Sequence, residues 1–237
     1  MTRADFETDA AASVDESAPV TRRRSPLALL LLALAAVVIV GIVAFSVGRL
    51  TTLGDPTPTT ESAEAGFARD MQTHHDQGVE LAMIIRDLTD DEEVRLLAYD
   101  IALTQGGQSG RMSGWLDIWG LPAHSLEPSM TWMMRPTLEG AGHNHGSDES
   151  AHKPGEPMPG LATPEQIAEL KTLTGVAAER MFLELMIAHH VGAIDMAEAL
   201  LDRSTNTTVR TFSVGVIESQ ESEIDLMNSM LAERPAA

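Results

Sequence analysis

The chain has no cysteine among its 237 residues. That excludes disulfides, thiolate metal sites, a cysteine nucleophile and a lipoprotein anchor. Aromatic side chains are scarce at 4%, so any core must be built from aliphatic residues and from the 13 methionines. Basic residues are also in deficit: 16 Lys and Arg stand against 35 Asp and Glu, a formal charge of −19. A chain of that sign does not suit a phosphate backbone, and nucleic acid is excluded as a partner. No segment alternates as a half-buried strand does. There is no Gly-x-Ser-x-Gly elbow and no phosphate loop, so hydrolase and nucleotide-binding readings have no support.

Long apolar runs are limited to one. Leu27 to Gly48 carries no charge and is nearly all Leu, Ala, Val and Ile. Those 22 residues make roughly 33 Å of helix at about 1.5 Å per residue, enough to cross a bilayer core. Arg22-Arg23-Arg24 precedes the run and Arg49 alone follows closely. The positive-inside rule then predicts a single-pass anchor at 26–49 in a cell membrane, with the N-terminus cytoplasmic and the rest extracytoplasmic. A cleaved signal peptide is the rival reading, but its apolar region is usually about 7–15 residues. Residues 1–25 hold four Arg and five acidic residues with one aromatic, and read as a disordered cytoplasmic tail. Residues 50–62 read as a polar, proline-containing linker.

What the rest of the chain does have is a repeat. Met71-Gln-Thr-His74-His75 recurs 115 residues later as Met186-Ile-Ala-His189-His190. Over the ungapped window 67–116 against 182–231 there are 11 identities in 50 positions, including Phe67 with Phe182, Gln105 with Gln220 and Met112 with Met227. The apolar spacing predicts helices from about Glu61 to Leu88, from a Thr89-Asp-Asp-Glu92 capping box to Trp119, from Thr163 to about Leu173, from Gly175 to Asp202, and from Thr208 to Leu231. Between them, 120–162 is a crossover rich in Gly, Pro, His and Met. The fold class is all-α: a four-helix bundle of two repeated hairpins over 63–234, preceded by one transmembrane helix.

Met at i and His at i+3 and i+4 share one side of a helix. Adjacent histidines diverge by about 100°, so one of each pair points inward and the other along a seam. Two such helices offer His74, His75, His189, His190, Met71 and Met186 as metal ligands. Imidazole suits Cu, Zn, Ni and Fe, and thioether adds a bias toward Cu(I). Copper is the first expectation and zinc the second. Buried histidines with packing methionines are the structural alternative. Gln105 and Gln220 have two readings, as hydrogen-bond partners of a ligand imidazole or as surface residues. Glu80 and Asp195, five residues after each pair, read better as a solvated face than as ligands. His143-Asn-His145 in the crossover has the look of a capture tract or of an ordinary polar loop.

The sequence Phe182-Leu-Glu-Leu-Met186-Ile-Ala-His189-His190-Val-Gly-Ala-Ile-Asp-Met-Ala197 resembles the DUF305 family. So do Met158-Pro-Gly-Leu-Ala-Thr-Pro-Glu-Gln-Ile-Ala-Glu-Leu170 and Gln220-Glu-Ser-Glu-Ile-Asp-Leu-Met227. The resemblance covers about residues 64–234. It implies a ferritin-like helical bundle, usually exported, with some members linked to copper binding or resistance. It places the four histidines at the family's His-His positions and Met71 and Met186 at its preceding methionines. The second half keeps Gln220-x-x-Glu223-Ile224. The first reads Gln105-Gly-Gly-Gln108-Ser109, so any role for that Glu holds in one half only.

Three functions compete on these residues. The leading expectation is a membrane-anchored extracytoplasmic metal-binding protein, not an enzyme, that buffers, sequesters or passes on copper. A redox enzyme is less well supported. A di-iron centre wants Glu-x-x-His on two helices, and neither His-His pair has it: Glu184 is five residues before His189. The alternative is a non-catalytic tethered interaction module with structural or pH-sensing histidines and an unknown protein partner.

Overall fold

The computed structural model describes residues 25–51, 54–139 and 153–235, with the side chains of residues 50 and 51 excepted. The described residues contain helices and turns and no strand. They fall into two units, Met1–Gly54 and Asp55–Ala237.

The first unit holds α1, Pro26–Thr51. Ser25 caps it: its Oγ accepts the amide of Ala28 at 3.2 Å, and proline at the first helical position has no amide to leave unpaired. Within it, Pro26–Arg49 is long and apolar enough to cross a membrane, and none of that face is buried against protein. The expected tail falls outside the described residues except for Ser25.

The second unit is an all-helical bundle. Its long helices are α2 (Ala63–Leu88), α3 (Glu92–Trp119), α5 (Gly175–Leu201) and α6 (Thr207–Ala232); α4 (Pro164–Leu170) is short. Helix α2 packs against α3, α5 against α6, and α2 against α5. Among the described residues, the long crossover between hairpins contains one 3-10 turn, Thr131–Met134.

Most helix starts here have a local cause, although Thr174 before α5 makes no side-chain cap bond. Ser62 caps α2 by accepting the amide of Ala65. Thr163 and Gln166 form the expected capping box of α4. The start of α3 differs from expectation. Asp91, not Thr89, is the cap, its Oδ1 accepting the amide of Val94 at 2.9 Å. Thr89 is drawn away because its hydroxyl accepts the amide of Asp91 and donates to Glu179 at 2.5 Å. Tertiary contact to α5 outcompetes the local box.

That link has a counterpart 115 residues away. Ser204 donates to Glu64 Oε1 at 2.5 Å and accepts the amide of Asn206. Glu64 and Glu179 are the same residue type at that offset, and so are Arg95 and Arg210. Each arginine ties the end of one helix to the start of the next: Arg95 through the carbonyls of Arg86 and Thr89, Arg210 through those of Leu201 and Ser204.

Two apolar clusters fill the bundle. The first joins the start of α2 to the end of α5, with Phe67, Met71, Met112, Trp132, Met196 and Phe212. The second joins the end of α2 to the start of α5, with Leu81, Ile85, Ile101, Phe182, Met186 and Met227. Helices α2 and α5 therefore run antiparallel, and the histidine pairs lie between the two clusters.

Candidate metal centre

All four imidazoles are fully buried, at 0% exposure. The rings of His74 and His189 meet across the α2–α5 seam, 3.9 Å between centroids and tilted by 38°. His75 lies 6.3 Å from His74, and His190 lies 6.0 Å from His189. The structure brings the four histidines into one polar layer inside an apolar bundle.

Two glycines make this approach possible. A Cβ on Gly78 of α2 would stand 2.8 Å from His189 Cε1 and 2.0 Å from Gln105 Oε1. Its absence lets the His189 ring reach across to α2, where Nε2 donates to the His74 carbonyl at 2.8 Å. A Cβ on Gly192 of α5 would stand 2.0 Å from the Pro159 carbonyl oxygen. Its absence admits the crossover, and His74 Nε2 donates to that carbonyl at 2.9 Å. Gln77 clamps the same strap from α2, with both ends of its amide bonded to the backbone of Ala162. Gly160 completes the strap with a left-handed φ of 72°, beside the Ala188 carbonyl.

The outer histidines differ. His190 Nε2 donates to Glu223 Oε2 of α6 at 2.6 Å. His75 faces Gln108 of α3, which favours its protonated ring, yet neither His75 nitrogen completes a hydrogen bond.

Burial controls the charge of this layer. Desolvation lowers His74 to about 4, opposed by its bond to Pro159. It lowers His75 to about 3, aided by His74, and holds His189 well below the usual imidazole range. These rings are neutral at pH 7, the form that ligates metal.

The layer is also under-satisfied. Nδ1 of all four histidines, Nε2 of His75, and both amide ends of Gln105 and Gln220 have no hydrogen-bond partner. Buried polar atoms without partners cost roughly 1–3 kcal/mol each, so a cluster of them calls for a specific explanation, such as strain, water or an ion. Gln105 and Gln220 are each 2% exposed. That discards the surface reading, although neither amide bonds to an imidazole.

Met71 and Met186 are both fully buried but sit in different apolar clusters, one on either side of the histidine layer. The thioethers are each one turn from their own histidine pair and do not share a common cluster. Among the described residues, no three His, Asp or Glu side chains are set round a common point as a finished cage. Glu80 and Asp195 are exposed, Glu80 in an ion pair with Lys171 at 3.3 Å. His124 is exposed in the crossover. His143, His145 and His152 lie outside the described residues. So does Glu149-Ser-Ala-His152, the chain's one Glu-x-x-His spacing.

Gly78, Gly192 and Pro159 were not singled out from the sequence. A usable signal was present, since each glycine falls within one turn after a histidine pair, where an interior glycine costs roughly 1 kcal/mol against alanine.

Residues 64–231 match the model of the family described as Domain of unknown function (DUF305), and the chain belongs to that family. A DUF305 protein of Streptomyces coelicolor is 48% identical, with a TM-score of 0.64 over 74% of this chain and 96% of that one. A DUF305 fragment from Deinococcus radiodurans is 30% identical, with a TM-score of 0.57 over 75% of this chain and 99% of that one. CopM in its Cu(I)-bound form shares the fold at 20% identity and a TM-score of 0.50, over 73% of this chain and 96% of that one. Among curated proteins, an uncharacterized protein of Acanthamoeba polyphaga mimivirus is 36% identical over 56 residues, 24% of this chain, and the chain spans 37% of that relative's length.

Proposed function

For a DUF305 protein with this interior, we propose a role as a membrane-anchored, extracytoplasmic metal-binding protein that buffers, sequesters or transfers copper. The observation that carries the reading is the layer of four buried imidazoles whose Nδ1 atoms have no partner. Neutral imidazoles beside thioethers suit a soft, easily desolvated ion such as Cu(I). His74, His75, His189 and His190 supply nitrogen donors, while Met71 and Met186 supply sulfur from either side. CopM has Cu(I)-bound, Cu(II)-bound and Ag-bound forms, and shares the helical fold in which this layer sits.

The ion is cargo in this reading, and the protein is not an enzyme. Its formal charge of −19 concentrates cations near its surface. Helix α1 would be the anchor, with the three arginines before it on the cytoplasmic side. The 115-residue correspondence reads as a duplicated hairpin, giving one histidine pair to each half.

The test is titration of the full chain in detergent micelles with Cu(I), Cu(II) and Zn(II), beside a variant in which all four histidines are alanine. Tight Cu(I) binding that the variant loses supports the proposal. Equal binding of every ion by both proteins would end it. A metal-free protein that ignores all ions and copurifies with a stable partner would favour the interaction module instead.

A further inference from the structure

The hydrogen-bond partners of the imidazoles say which nitrogen is free. A carbonyl oxygen can only accept, so a ring nitrogen bonded to it must carry the proton. His74 Nε2 is bonded to the Pro159 carbonyl and His189 Nε2 to the His74 carbonyl. Both rings are therefore Nε2–H tautomers. An ionised Glu223 imposes the same tautomer on His190 through the 2.6 Å bond to Nε2. In the neutral form of all three rings the lone pair is left on Nδ1, which is buried and has no partner. His75 faces Gln108 but completes no such bond.

We infer that the ion-facing atoms of this site are the Nδ1 nitrogens of His74, His189 and His190, and that Glu223 is the positioning residue that holds His190 in that tautomer. The inference rests on the metal-binding reading above and adds which atoms face the ion and why the two halves are unequal. Glu223 acts through His190. It orients the ring, makes Nδ1 a stronger donor, and places a negative charge near the incoming cation. At the corresponding place in the first half, near His75, stands the uncharged Gln108. The site is therefore weighted toward α5 and α6.

The close inner rings add a second consequence. Lone pairs lie in the ring plane, and the His74 and His189 rings are 3.9 Å apart between centroids and tilted by 38°. One ion held in the planes of both rings requires the two to move apart, so loading breaks this contact, whereas the Nε2–H bonds can persist as pivots.

The experiment uses the full chain, labelled with 15N-histidine, in detergent micelles, with Ag(I) as a diamagnetic probe. Ring proton–nitrogen correlation spectra of the metal-free protein should show Nδ1 unprotonated and Nε2 protonated for His74, His189 and His190. Adding Ag(I) should shift the three Nδ1 resonances and leave Nε2 protonated. Ag(I) shifting Nε2 instead would overturn the inference and leave the metal-binding reading standing. No response to Ag(I) at any histidine would overturn both.

Glu223→Met removes the acceptor, and Glu223→Gln keeps an acceptor but removes the charge. The first should weaken Ag(I) binding by about 10–100-fold and give His190 a mixed tautomer, in line with the loss of a ligand-orienting partner. Glu223→Gln should retain the tautomer and lose less affinity. A Glu223→Met protein that folds, keeps His190 Nδ1 unprotonated and binds within about threefold of the parent, below the range for such partners, would remove Glu223 from the role. Gln108→Glu supplies the missing partner in the other half. It should bring His75 into the Nε2–H tautomer, and an unchanged His75 spectrum would count against the mechanism.

Discussion

The two hairpins use the same parts and end in different places. Both bury a Met-x-x-His-His element, both link a glutamate to a hydroxyl across the bundle, and both use an arginine to join helix ends. The differences gather around the histidines. In the first half Gln77 reaches out to clamp the crossover; in the second, the corresponding position is Gly192, and the crossover lies on it. In the first half His75 has no bonded partner; in the second, His190 has a carboxylate. The peripheral links, which hold the fold, match. The contacts of the polar layer, which would hold an ion, do not.

The largest effect that can challenge this comparison comes from the cores. Phe67→Ala and Phe182→Ala should each cost about 3–5 kcal/mol, as for other buried aromatics. Phe67 also makes edge-on contacts with Trp132 at 5.8 Å and Phe212 at 6.4 Å. Its loss should be greater by about 1 kcal/mol, the worth of aromatic pairing. Equal losses in thermal denaturation would show that the crossover aromatics add nothing.

Acid should come next. His74 and His75 have folded values near 4 and 3, against 6.5 for the free side chain. The unfolded chain thus binds more protons below pH 6.5, and stability falls as pH drops from there toward 3–4. The loss should be on the order of 3 kcal/mol for each of the two rings at the acid end. Melting temperatures from pH 7 to 4 check this, and His75→Gln should flatten the profile. An unchanged melting temperature across that range would mean that the layer is not buried neutral. Because these rings stay neutral below 6.5, metal binding should persist to lower pH than the unperturbed value suggests.

The glycine pair gives a smaller and more specific contrast. Gly192→Ala meets backbone, the Pro159 carbonyl, and should cost about 1–3 kcal/mol. That corresponds to a fall of about 2–12 °C in melting temperature at this chain length. Gly78→Ala meets first the end of the Gln105 side chain, which can swing away, although His189 behind it must also shift. It should cost less, and the reverse order would show the strap to be looser than its contacts suggest.

The smallest effects belong to the matched links. Thr89→Val and Ser204→Ala each remove a hydroxyl that donates to a carboxylate and accepts one backbone amide, for about 1–2 kcal/mol. Thr89→Val should cost the more. Its partner Glu179 is only 5% exposed and also binds Arg234 at 2.8 Å. Equal losses would mean that Arg234 alone satisfies Glu179.

Much of this was legible in the residues. The helices around Phe67 and Phe182 follow the 3.6-residue period, and the Thr163 box starts its helix by local chemistry alone. The histidine pairs stood out because their register with Met71 and Met186 repeats. What escaped notice was the partner set. Pro159 lies 85 residues from His74, and a backbone carbonyl carries no signature in its side chain. Gly78 and Gly192 matter for what passes over them, which cannot be read from their own helices. The local pattern allows Thr89 as a cap, but a glutamate 90 residues away takes its hydroxyl instead.

By composition and periodicity alone, the sequence determined that the chain is helical, free of thiols, strongly acidic, equipped with one apolar helix, and supplied with two histidine pairs in register. Those properties are local or additive, so each segment carries them by itself. Only the tertiary structure decided that the four imidazoles share one buried layer, that the methionines flank it from opposite clusters, and that Nδ1 is the nitrogen left free on three of the rings. A ring's charge depends on burial and its tautomer on the acceptor that meets it, and both are supplied by residues distant in the chain.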